Sequence, residues 1–160
     1  MSVLCIDPGL NSMGWAFWKK DIVHGKPDDV GLVRDALNLE LPWHIRAIIQ
    51  TDGLVDVLKN RRILPTEVYC EMPEYYHTAI GTVVAQSHST YKLSYLVGCL
   101  GITFKNLKFT LLLPRMWKGQ LPKHAVETRI IRALGRKACV NFKDDIWDAV
   151  GMGLSLKGYL

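Results

Sequence analysis

The apolar positions of this chain come first in short strand-like runs and later in helix-spaced sets, and that change of period predicts its elements. Val3-Leu4-Cys5-Ile6 is an apolar run that stops on Asp7, just before the turn formers Pro8-Gly9. Residues 12–19, with Gly14-Trp15-Ala16-Phe17-Trp18, suit a second strand, so 3–8 and 12–19 read as the arms of a hairpin. A loop over 21–29 and a weakly patterned third strand over about 30–37 follow. Pro42 suits the first turn of a helix whose apolar positions are Ile45, Ile48, Ile49, Val55 and Leu58; Asp52-Gly53 predicts a kink or a division, and Pro65 ends it.

The chain then repeats its opening device. Thr66 to Met72 is a β-branched and aromatic run in which Glu71 precedes Met72-Pro73, again a carboxylate at a strand end. A helical pattern over 78–98 carries two apolar stripes, one of Ile80, Val84, Tyr91 and Tyr95, the other of Val83, Leu93, Val97 and Leu100. A helix apolar on two faces is either deeply buried or shared with a second subunit. Residues 107–113 form a strand that stops at Pro114. A basic stretch over 115–124 and a basic helix over about 123–137 come next, and a last helix opens at Lys143-Asp144-Asp145 and runs to Leu156. A hairpin followed by alternating helices and strands indicates an α/β protein: a mixed sheet with helices on both faces. Without repeats or low-complexity segments, 1–160 reads as one domain.

Composition narrows the class. At 49% apolar and 22% charged residues, the chain has the balance of a globular protein with its own core. No apolar run approaches the ~20 residues that span a bilayer, and no secretory leader pattern is present, so an intracellular, cytoplasmic protein with no membrane partner is expected. Four dispersed cysteines lack any C-x-x-C pair, and Cys5 and Cys70 sit in strand runs as small hydrophobes, which argues against zinc and disulfides. A net charge of +5 fits a polyanionic partner as well as it fits an ordinary basic protein.

Candidate chemistry lies in the acids. If the strands ending at Asp7 and Glu71 are parallel neighbours, their carboxylates emerge at one sheet edge, and the helix between them is the required crossover. Asp145 and Asp148 share a helix face, but so do Asp144 and Asp148, and spacing does not choose between the two sets. The helix dipole accounts for Asp144 and Asp145 without any function, and for Asp148 less readily. Ala149, Gly151 and Gly153 would let this helix lie close to the sheet, offsetting the cost of about 1 kcal/mol for each helical glycine. Converging carboxylates repel one another, and a hard cation such as Mg²⁺ or Mn²⁺ resolves the repulsion. Two such ions about 4 Å apart bracket an in-line phosphoryl displacement.

Taken in order, strand-Asp7-Pro8-Gly9 with Gly14 in the next strand, strand-Glu71, and Asp145-x-x-Asp148-Ala149 resemble the RuvC family of Holliday junction resolvases. That family belongs to the RNase H-like superfamily, and the resemblance covers essentially the whole chain. It implies an RNase H-like fold with a five-stranded mixed sheet, and Asp7, Glu71, Asp145 and Asp148 as ligands of two Mg²⁺ or Mn²⁺ ions. It further implies phosphate-holding lysines at Lys118 and Lys123, although the intervening loop Gly119-Gln120-Leu121-Pro122 is shorter than the family's. An aromatic wedge is expected just after the glutamate; Glu74 stands there, and Tyr75 or Tyr76 beside it could stack on a base. Arg115 and Arg129 join the lysines as expected DNA contacts. The family's properties imply a homodimer, joined through the helix over 78–98, that cuts opposed strands of a four-way junction in DNA recombination and repair. The cut leaves 5′-phosphate and 3′-hydroxyl ends without a small-molecule cofactor, and the departures suggest a phage-encoded or divergent member. Two other readings remain open. One is an RNase H-like nuclease acting on flaps, forks or RNA–DNA hybrids; the other is a non-catalytic branched-DNA binding module, against which the retention of four acids speaks.

Overall fold

The computed structural model describes residues 1–19, 25–34, 40–73 and 83–159, with the side chains of all of them except 83–88 and 144. Five strands, β1 (Val3–Asp7), β2 (Met13–Trp18), β3 (Asp29–Val33), β4 (Glu67–Glu71) and β5 (Lys108–Leu112), form one sheet in the order β3-β2-β1-β4-β5. β1, β2 and β3 pair antiparallel, as the hairpin pattern predicts, whereas β4 runs parallel to both β1 and β5. The helices are α1 (Trp43–Asn60), α2 (Val83–Thr103), α3 (Pro114–Trp117), α4 (Lys123–Leu134) and α5 (Asp144–Ser155), with a 3₁₀ turn over Arg136–Cys139.

The period-2 alternation of strand side chains sorts the core into two layers. Leu4, Ile6, Trp15, Phe17, Val68 and Cys70 pack with α1 and α2 on one face. Val3, Cys5, Ala16 and Trp18 pack with α3, α4 and α5 on the other. The five-stranded mixed sheet with helices on both faces is thus present. Among the described residues, no helix is long and apolar enough to cross a membrane.

Several boundaries differ from the sequence expectation, each for a local reason. β3 ends at Val33 rather than near 37, and 35–39 lie outside the described residues. α1 is one unbroken helix across Asp52-Gly53. Its buried face is Ala47, Gln50, Thr51, Leu54 and Leu58, whereas Ile45 and Ile48 are 37% and 41% exposed. The exchange of isoleucine for glutamine in the core is satisfied by hydrogen bonding: Gln50 Nε2 donates to the carbonyl oxygens of Val33 (2.8 Å) and Gly9 (3.3 Å). α2 continues beyond Gly98 to Thr103, because Leu96, Leu100 and Phe104 extend its core stripe at four-residue spacing. α4 stops at Leu134 rather than 137, because Gly135 turns the chain at a φ of +82°.

Candidate active site

Strand register sets the site. Ile6 stands opposite Cys70 in the parallel β1–β4 pair, so the next residues, Asp7 and Glu71, end neighbouring strands at the same sheet edge. Both belong to the alternate set that faces α5, the set of Val3 and Cys5 on β1 and Tyr69 on β4. Across the hairpin, Asp7 pairs with Gly14. This glycine explains how α5 comes so near: a Cβ on Gly14 would lie 2.0 Å from the carbonyl oxygen of Asp145. Further along α5, added methyls on Gly151 and Gly153 would meet the rings of Trp117 at 2.7 Å and Trp18 at 2.1 Å. The small residues after Asp148 therefore do let the helix lie against the sheet, as their spacing suggests.

Two residues next to the acids organise them. Trp117 closes the single turn of α3 and donates its indole N–H to Glu71 Oε2 at 2.8 Å. Lys118 places Nζ 3.8 Å from Glu71 Oε2 and 3.9 Å from Asp148 Oδ1, and 4.7 Å from the Trp117 ring centroid. These side chains are largely withdrawn from water, with exposures of 15% for Glu71, 19% for Asp148 and 23% for Lys118.

Burial pushes the Asp7 carboxyl well above its usual range. The negative charges of Glu71, Asp148 and Asp145 push it further the same way, and Lys118 opposes them. Glu71 is also raised by burial and by Asp148, against the pull of Lys118 and of the Trp117 hydrogen bond. Four carboxylates thus share one electrostatic neighbourhood, and the Lys118 ammonium lies between two of them.

The donor set fits a hard cation. All its atoms are oxygens, its charges repel, and a cationic nitrogen already stands where positive charge is needed. Among the described residues, no three carboxylate, imidazole or thiolate groups already surround one point at ligand distance. A divalent ion would therefore have to displace the Lys118 ammonium and draw the acids inward.

Of the residues singled out from sequence, Asp7, Glu71, Asp145, Asp148 and Lys118 come together. Lys123 opens α4 on the surface, Arg129 lies further along that helix, and Arg115 is exposed in α3. Tyr75 and Tyr76 lie outside the described residues, as does the side chain of Asp144, so the choice between Asp144 and Asp145 stays open. Sequence reasoning missed the Trp117 bond to Glu71. The available signal was a tryptophan directly before the candidate phosphate lysine. An apolar cavity of about 600 Å³, lined in part by Leu58, Ile63, Leu64, Phe104 and Leu107, sits where the parallel strands begin. Ligand sites of open α/β sheets form instead at the carboxyl ends of strands, where the acids are.

A mixed sheet in this order, with acids at the ends of its first and fourth strands beneath an acid-bearing last helix, defines the RNase H-like fold in its resolvase form. Solved structures of that form superpose on nearly the whole chain. Thermus thermophilus RuvC in complex with Holliday junction substrate is 19% identical, with a TM-score of 0.71 over 97% of this chain and 92% of that one. The fowlpox virus resolvase in complex with Holliday junction DNA is 15% identical, with a TM-score of 0.60 over 98% and 96%. The yeast mitochondrial Holliday junction resolvase is also 15% identical, with a TM-score of 0.58 over 98% and 80%. By sequence, no protein-family model and no curated protein matches this chain.

Proposed function

We propose that this chain is a metal-dependent, structure-selective DNA endonuclease that resolves four-way junctions as a homodimer in the cytoplasm. One observation carries the reading: Asp7 and Glu71 end adjacent parallel strands under the Asp145–Asp148 face of α5, in a buried site whose carboxyls are pushed toward protonation. A structural role leaves such a cluster at a cost, whereas cation binding turns the same repulsion into affinity.

Asp7, Glu71, Asp145 and Asp148 would hold two Mg²⁺ or Mn²⁺ ions, which when bound supply Lewis-acid activation of water and neutralise the leaving oxygen. The chain's own residues do the rest. Trp117 fixes the rotamer of Glu71 and favours its charged form. Lys118, released from Glu71 and Asp148, turns its ammonium to a non-bridging phosphate oxygen and to the charge that grows there. Lys123, Arg115 and Arg129 are assigned to the DNA backbone, and Tyr75 or Tyr76 to stacking at the branch point. For the second subunit we assign the outer face of α2, where the exposed Tyr91 and Tyr95 meet Trp43 edge-on at 5.1 and 5.3 Å. The solved resolvases seen with junction DNA support the choice of substrate.

The test is to incubate the protein in Mg²⁺ or Mn²⁺ with an immobile four-way junction, a flap and an RNA–DNA hybrid of matched length, and to map the nicks. Paired, symmetric nicks in the junction alone are expected, with 5′-phosphate ends. Faster cutting of the flap or hybrid would move the assignment to another RNase H-like nuclease. Binding without cutting would leave a branched-DNA binding module.

A further inference from the structure

Beside the acids, on the far side of Asp145, lies a polar cavity of about 410 Å³ between the β1–β2 turn and the helices α1 and α2. Its volume lies within the roughly 300–1,000 Å³ of sites that take small ligands. The turn is tight, because a Cβ on Gly9 would lie 2.0 Å from the Ser12 carbonyl oxygen. Arg46 of α1 braces it, with Nη2 donating to the Asn11 side chain and, at 3.5 Å, to the Leu10 carbonyl oxygen. What remains is a set of unused donors. Ser12 Oγ and Arg46 Nε are both buried and have no hydrogen-bond partner among the described residues. Lys92 of α2, half-buried, adds a second positive charge to the same wall.

Buried polar atoms in folded proteins are nearly always paired, so two orphans in one cavity ask for a ligand. A guanidinium N–H, a hydroxyl and an ammonium are complementary to an anion with several acceptor oxygens. The remaining wall is Asp145 of the acid cluster, so whatever is held here continues into whatever is held there. A polymer with an anionic group at every repeat meets both conditions.

Resting on the nuclease reading, we propose that Ser12, Arg46 and Lys92 form a cradle for the phosphate next to the scissile one on the cleaved strand. Such a contact carries no base information but fixes the register in which the scissile phosphate reaches the acids. Ser12, Arg46 and Lys92 are therefore positioning residues.

The test is a scan of single methylphosphonates, which remove one phosphate charge each, through the two nicked strands of the junction around the branch point. Binding of the full-length protein is read by fluorescence anisotropy in Ca²⁺. In the wild type, one position beside the acids should weaken binding about tenfold, the scale of a single lost charge-assisted contact. In Lys92→Ala and Arg46→Ala that penalty should fall below about twofold while those at all other positions stay as they were. An unchanged profile in both variants overturns the cradle. Lys92→Ala leaves the β1–β2 turn untouched, so its profile alone decides the question even if Arg46→Ala unfolds. A wild type that binds but never nicks in Mg²⁺ overturns the nuclease reading alone, because the profile still decides the cradle. A wild type that does not bind the junction overturns both.

Discussion

Asp7 is costly to keep ionised, since burial and three neighbouring acids all work against its charge. Its folded-state pKa stands above the ordinary 3.8, and that of Glu71 above the ordinary 4.5. The native state therefore holds these protons more tightly than the unfolded chain does. The stability they contribute is present at low pH and is lost as pH rises from those ordinary values through the raised ones. Asp7→Asn keeps the shape and removes the charge. At neutral pH without divalent ions it should melt higher than the wild type, by about 2–4 °C for each kcal/mol relieved, and the gap should close toward pH 4, as calorimetric melts can check. The same substitution should cut junction cleavage by more than about 100-fold while leaving junction binding in place, since removing a ligand costs more than the 10–100-fold typical of groups that only orient one. Trp117→Phe tests such an orienting group. Without the indole N–H, the Glu71 carboxyl rises further, so the acid limb of the cleavage–pH profile should move to higher pH. The deficit against the wild type should grow as pH falls, and a deficit that grows as pH rises would contradict this role.

The elements carry this site by close approach. β1 and β4 bring their ends side by side, and α5 can cross them only because Gly14 presents no side chain beneath Asp145. Gly14→Ala should lift the first turn of α5, destabilising the fold by about 1–3 kcal/mol in urea titrations and taking cleavage with it. Much of this was legible in the sequence. The strand-Asp-Pro-Gly device, its repetition at Glu71 and the small residues of the last helix all depend on local chemistry, which a chain displays openly. The inner face of α1 was not legible, because Gln50 and Thr51 are buried there by hydrogen bonds that apolar spacing does not reveal, while Ile45 and Ile48 point outward. Nor was the Trp117–Glu71 bond, which joins side chains 46 residues apart across two elements. The two stripes of the 78–98 pattern separate in the described part of α2. Leu93, Val97 and Leu100 turn to the core, and Tyr91 and Tyr95 to the surface. If that outer face joins two subunits, Tyr91→Glu with Tyr95→Glu should halve the solution mass from twice the 18.1 kDa chain, as light scattering would show, without lowering the melting temperature of the monomer.

For the whole molecule, one electrostatic asymmetry connects fold and activity. A chain of net charge +5 concentrates four carboxylates at one sheet edge and keeps them together with Lys118. The basic remainder favours DNA, and the acidic pocket favours the cations that DNA cleavage needs. Calorimetric titration of Mn²⁺ into the wild type and Asp7→Asn, repeated in buffers of different ionisation enthalpy, tests this most directly. The wild type should take up Mn²⁺ saturably and release protons, because Asp7 and Glu71 must ionise to bind it, and Asp7→Asn should lose most of that uptake. Equal uptake by the two proteins, or none by the wild type, would contradict it.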